Sequence, residues 1–124
     1  MKTYINLQKP IKNELFLLGT KGGPAIRPKG SMPSSSLLVL DNEKILIDAG
    51  LGVAKSLTEI GFHLSELSNI FITHLHSDHY LELGPLIHTA WTTGLTEKIK
   101  IYGPKGLIHY WQKFLLSMPV SYTH

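Results

Sequence analysis

Three apolar residues, Ile70-Phe71-Ile72, run directly into Thr73-His74-Leu75-His76-Ser77-Asp78-His79. A helix would set His74 and His76 roughly 200° apart, because each residue turns about 100°. An extended segment instead puts residues i and i+2 on one side. The pattern therefore predicts a buried strand over 70–73 whose extended end aims His74 and His76 at one point. A turn then carries Asp78 and His79 to a second point nearby. Imidazole and carboxylate ligands suit zinc, manganese or iron, and the arrangement describes two adjacent metal sites better than one. With 7 histidines and 3 aspartates in 124 residues, H-x-H-x-D-H arises by chance about 5 × 10⁻⁴ times per chain of this composition, so a merely polar loop is the weaker reading.

The rest of the chain gives that strand its setting. Tyr4, Ile5 and Leu7 suggest a strand, and residues 14–18 a second, stopped by Gly19. Residues 19–36 are rich in Gly, Pro, Ser and Lys and read as a long loop. Residues 37–40 and 44–47 predict a hairpin with Asp41-Asn42-Glu43 at its turn. Val53, Leu57 and Ile60 recur at helical spacing before a stop at Gly61. Residues 80–93 predict a helix disturbed by Gly84-Pro85, and residues 98–102 another strand. Pro104 is placed to start a final helix with Leu107, Tyr110, Trp111, Phe114 and Leu115 on one face, ended by Pro119. Hairpin strands first, then strands alternating with helices, predict an α/β (α+β) fold: a mixed β-sheet with helices on one face.

Bulk properties narrow the chemistry. A chain of 124 residues with 43% hydrophobic content fits one domain, 1–124. The absence of cysteine excludes disulfides, cysteine-ligated zinc and thiol nucleophiles in this sequence. Net charge is +3, compatible with an anionic substrate, but the basic residues are spread rather than gathered into a nucleic-acid surface. The first residues alternate polar and apolar and do not read as a signal peptide. No apolar run approaches 18 residues, so no membrane association is expected and a cytoplasmic location is the default.

On His74-Leu75-His76-Ser77-Asp78-His79 and the strand-end Asp48-Ala49-Gly50 upstream, the chain resembles the metallo-β-lactamase superfamily. Within it the chain looks most like the branch of ribonuclease Z and arylsulfatase-type hydrolases. That likeness is carried by Leu18-Gly19-Thr20-Lys21-Gly22-Gly23-Pro24, Tyr80-Leu81-Glu82-Leu83-Gly84-Pro85, Ala90-Trp91-Thr92-Thr93-Gly94 and Ile101-Tyr102-Gly103-Pro104-Lys105-Gly106-Leu107. The resemblance implies a metal-dependent hydrolase with two zinc ions, manganese or iron(II) being substitutes. His74 and His76 would bind one ion and Asp78 and His79 the other. A water between the ions would be the nucleophile, and Asp78 would serve catalysis by taking its proton. The substrate implied is an anionic ester: an RNA 3′ end, or a small phosphate or sulfate ester.

Asp48 is read as orienting a metal-binding loop through hydrogen bonds rather than as a ligand. Gly19-Thr20-Lys21-Gly22-Gly23 lacks phosphate-loop spacing and is read as a structural turn beside the substrate cleft. His88 and His109 are read as structural, and Trp91 and Trp111 as core.

The family fold is an αββα sandwich of two similar halves, and the resemblance covers only the N-terminal half. After Asp78 the chain has no aspartate, and its later carboxylates are Glu82 and Glu97. Each ion would have two ligands from this chain, short of the three of a catalytic zinc site. His124 is a poor stand-in for the next ligand. The expectation is a truncated domain, inactive alone, whose bare sheet face seeks a homo-oligomeric partner or a complementary C-terminal half. The alternative is a non-catalytic metal-binding or interaction module.

Overall fold

The structure, a computed structural model, describes residues 13–118. The strand expected around Tyr4–Leu7, the stop at Pro119 and His124 lie outside the described residues. Five strands form one mixed sheet in the order β1-β2-β3-β4-β5: β1 Asn13–Gly19, β2 Ser35–Leu40, β3 Glu43–Ile47, β4 Asn69–Phe71 and β5 Lys100–Tyr102. The first three pair antiparallel, and β3–β4 and β4–β5 pair parallel. Asp41, at φ 55°, and Asn42 make the β2–β3 turn, while Glu43 already belongs to β3.

The strand register sorts side chains onto two faces. Phe16, Leu37, Leu46, Ile70 and Ile101 sit in one cross-strand row and point into the core. Helices cover that face: α1 Val53–Glu59, α2 Ser77–Tyr80, α3 Leu83–Thr92 and α4 Leu107–Ser117, with a 3-10 turn at Leu64–Glu66. Val53 and Leu57 bury the inner side of α1, and Leu83, Leu86, Ile87 and Ala90 bury that of α3, the i, i+3, i+4, i+7 spacing of an amphipathic helix. Gly61, at φ 89°, closes α1: its N–H bonds Thr58 O and that of Phe62 bonds Leu57 O, the paired bonds of a Schellman end.

Leu46 is wholly buried at the centre of this row. Leu46→Ala is expected to lower stability by about 2–5 kcal/mol through lost burial and the cavity left behind, measurable as a shift in the urea midpoint.

Several expectations need correction. The helix expected over 80–93 is α3, which starts later, at Leu83; Tyr80 ends α2, and Leu81-Glu82 turn between the two. Gly84-Pro85 does not disturb it; Pro85 sits in the first turn of α3, where no intrahelical N–H bond is required. The Gly84 N–H is instead satisfied by Tyr110 Oη at 2.9 Å. The final helix begins at Leu107, after a turn that Leu107 N–H closes onto Pro104 O. Trp91 is 43% exposed rather than core, whereas Trp111 packs against the core's edge.

The opposite sheet face is apolar and open. Leu15, Leu38 and Ile45 form one row across it, and Ile47, Phe71 and Tyr102 another. Leu15 and Leu17 are more than half exposed, and the Phe71 and Tyr102 rings stack at 4.6 Å on that surface.

Candidate functional site

The site lies at the C-terminal ends of the parallel strands. Beyond β4 the chain stays extended through His76, whose φ and ψ are −84° and 139°. His74 and His76 therefore fall on one side: His74 Nε2 lies 3.2 Å from His76 Nδ1. The chain then turns into α2, and Asp78 Oδ2 lies 3.4 Å from His79 Nε2. The rings of His74 and His79 are 4.1 Å apart, so the two pairs are neighbours.

A buried carboxylate organises both pairs. Asp48 sits just past β3 at φ 64°, a strained backbone that aspartate tolerates better than most residues. It accepts bonds from Thr73 N–H at 2.7 Å, from Thr73 Oγ1 and from His79 Nδ1 at 2.6 Å. A carboxylate only accepts, so His79 donates from Nδ1 to Asp48, and Nε2 is the nitrogen it turns toward Asp78. Thr73 spends its one hydroxyl proton on Asp48. Toward His74 Nδ1, 3.0 Å away, it is therefore an acceptor, which turns His74 Nε2 toward His76 Nδ1. This is the hydrogen-bonding role read for Asp48 from the sequence.

The Asp48 turn is clamped from three directions. Ala49 N–H bonds His79 O, Gly50 N–H bonds Ser34 O, and Glu82 N–H bonds Ala49 O. A Cβ at Gly50 would lie 2.5 Å from Asp78 O, so only glycine lets the turn pack so closely on α2. The Glu82 carboxylate caps α1 by accepting from Gly52 N–H at 2.8 Å and Ala54 N–H at 2.9 Å. Sequence reasoning missed this role of Glu82; the signal was a helix start at Val53 with glycine, not a capping side chain, before it. The Gly19–Gly23 segment is a turn beside the site, as expected, and it does more: Gly23 N–H donates to Asp78 Oδ2 at 3.0 Å.

Burial pushes the Asp78 carboxyl up, but the N–H donors of Gly23 and of its own backbone, with His79 and His76 nearby, outweigh that and hold it below the usual aspartate value. A carboxyl depressed in the folded state stabilises the fold above its unfolded pKa, and this contribution disappears as pH falls through the depressed value.

Two ligands on a tetrahedral zinc at the usual bond lengths lie about 3.3 Å apart, and both pairs have that separation. Their donor types and spacing fit a divalent ion. Among the described residues, however, no group of three or more His, Asp or Glu side chains is arranged to hold an ion. His88 and His109 lie on α3 and α4, apart from the cluster.

Known proteins share this architecture. Ribonuclease Z of Clostridium botulinum (strain Alaska E43 / Type E3) is 40% identical over 94 residues, 76% of this chain and 29% of that protein. Ribonuclease Z of Nostoc punctiforme is 36% identical over 111 residues, 90% and 34% of the two chains. The crystal structure of the short form of human tRNase Z superposes with a TM-score of 0.74 at 30% identity, covering 85% of this chain and 40% of that one. The metallo-β-lactamase fold protein YhfI of Bacillus subtilis gives 0.66 at 26% identity, covering 80% and 39%. The fold is thus that of the metallo-β-lactamase superfamily, in its ribonuclease Z branch. Residues 13–122 match the family described as Anti-Pycsar protein Apyc1, and the chain belongs to it. The chain spans about a third of the length of the curated relatives it matches.

Proposed function

We propose that residues 1–124 form the N-terminal half of a metal-dependent phosphodiester hydrolase, in which His74 and His76 hold one divalent ion and Asp78 and His79 a second. The observation that carries this is the Asp48 network. One buried carboxylate holds His79 by Nδ1 directly and His74 by Nδ1 through Thr73, so both rings turn Nε2 toward the next side chain at ligand spacing. Such outer partners are what orient metal-bound histidines. Bound there, the ions would polarise a phosphoryl oxygen and supply a nucleophilic water near neutral pH. Asp78, held on Oδ2 by Gly23, would position that water and take its proton.

Zinc is the ion proposed, with Mn²⁺ or Fe²⁺ able to replace it. An RNA 3′ end or a small phosphate ester is the proposed substrate, with sulfate esters the second class to assay, and the cytoplasm is the proposed location. No described helix is long and apolar enough to cross a membrane. Two ligands per ion fall short of the three of a catalytic zinc site. The others would come from a complementary C-terminal half, or a second copy, docked on the open face of Leu15, Leu38, Ile45, Ile47, Phe71 and Tyr102. A second reading, a metal-binding or interaction module without catalysis, is favoured by the same ligand shortfall.

Calorimetric titration tests the metal assignment. The chain is expected to bind zinc weakly, with binding lost toward acid as protons compete for the imidazoles, and His74→Ala/His76→Ala is expected to weaken it further. Unchanged affinity in the double variant would remove the assignment.

A further inference from the structure

We infer that the Gly23 N–H is the positioning donor for the Asp78 carboxylate, and that through it the β1–β2 loop and the Asp78–His79 pair order one another. The contact joins residues 55 apart in sequence at 3.0 Å. The torsion that turns a carboxylate about its Cβ–Cγ bond is broad and nearly two-fold. A fixed donor on one oxygen is therefore what holds the plane of the carboxylate, with that oxygen toward His79 Nε2.

The loop is built to deliver that donor. Thr20 N–H bonds Ser31 Oγ, Lys21 N–H bonds Met32 O, and Ser34 O accepts from Gly50 N–H, so both loop ends are tied down. Lys21 Nζ closes the turn on Gly22 O at 2.8 Å. Gly23, at φ 82°, then directs its N–H at Asp78. Pro24 through Gly30 run beyond these ties, exposed throughout. Residues 20–34 carry Lys21, Arg27 and Lys29 and no carboxylate, so Asp78 is the anion on which this cationic loop is anchored. Whatever fixes the Asp78 carboxylate, a bound ion included, also fixes the loop. That last step rests on the metal reading above; the tether itself does not.

Amide hydrogen exchange by NMR on the whole chain, with and without zinc, tests both steps. Without metal, the Gly23 amide is expected to exchange roughly tenfold to a hundredfold more slowly in the wild type than in Asp78→Ala, the range for a hydrogen bond to a charged group. Asp78→Asn, which keeps an acceptor but no charge, should fall between. Zinc should slow Gly23 exchange further and slow tryptic cleavage at Lys29–Gly30, with neither effect in Asp78→Ala. Equal Gly23 exchange in wild type and folded Asp78→Ala overturns the tether. If Asp78→Ala does not fold, an unchanged Gly23 amide shift and exchange rate in Asp78→Asn overturns it. Zinc that binds by calorimetry yet leaves the Lys29–Gly30 cleavage rate unchanged overturns the coupling while the metal reading stands. Failure of zinc to bind, with the metal-free difference intact, removes the metal reading and leaves the tether standing.

Discussion

Residues 1–124 alone are expected to hydrolyse bis(p-nitrophenyl) phosphate at or near the background rate. Turnover should appear when the remaining segment of a ribonuclease Z relative is supplied, fused or in trans. The geometry gives the reason: two pairs of proposed ligands, each spaced for one ion, and no third candidate for either among the described residues. A catalytic zinc ion needs about three protein ligands and an open position for water, so what the short chain lacks is coordination. In the proposed assembly the added segment would seat on the open apolar face that ends in the stacked Phe71 and Tyr102 rings. Asp78→Ala in the completed protein removes both a proposed ligand and the group that faces the water. It should lower the rate by at least roughly 10²–10³-fold, the loss seen when a single transition-state donor is removed. An aryl sulfate assayed in parallel decides between the two ester classes. Metal-dependent turnover by the short chain alone would show that a second copy or an unforeseen ligand completes the site.

The pairing itself was legible because it follows from the local run of the chain, although distant residues hold it in place. An extended stretch must put His74 and His76 on one side, and a turn after Ser77 must bring Asp78 and His79 together. The sheet was legible for a similar reason: the hairpin's alternation and the helical spacing of Leu83, Leu86, Ile87 and Ala90 each name a buried face. What could not be read is what arrives from far along the chain. Gly23 reaches Asp78 across 55 residues, and the Glu82 carboxylate caps a helix that starts 29 residues earlier at Val53. Neither contact leaves a periodic trace. Pro85 misled because a proline inside a helical pattern signals a break, while its position in the first turn of α3 makes it harmless.

Asp48 is the residue at which stability and ligand geometry are expected to separate. Asp48→Ala leaves the Thr73 N–H and the His79 Nδ1–H without their acceptor in a part-buried site. It also puts alanine at φ 64°, where a short polar side chain is favoured. Orphaned buried donors cost about 1–3 kcal/mol each, so a loss of roughly 2–6 kcal/mol is expected, together with weaker zinc binding. Asp48→Asn should behave differently. Asparagine tolerates the same backbone, and its carbonyl can still accept from Thr73. Its amide, however, turns a donor toward His79 Nδ1, where the carboxylate accepted at 2.6 Å. The imidazole answers by moving its proton to Nε2, which removes the lone pair facing Asp78. Asp48→Asn is therefore expected to keep most of the stability lost in Asp48→Ala while weakening zinc binding by about 10–100-fold, the usual cost of losing an outer-shell partner. Urea melts and zinc titrations on the two variants read the two quantities separately, and ¹⁵N imidazole shifts report the His79 tautomer directly. Wild-type zinc affinity in Asp48→Asn would mean that His79 does not ligate through Nε2, and the pairing of Asp78 with His79 as a half-site would fall with it.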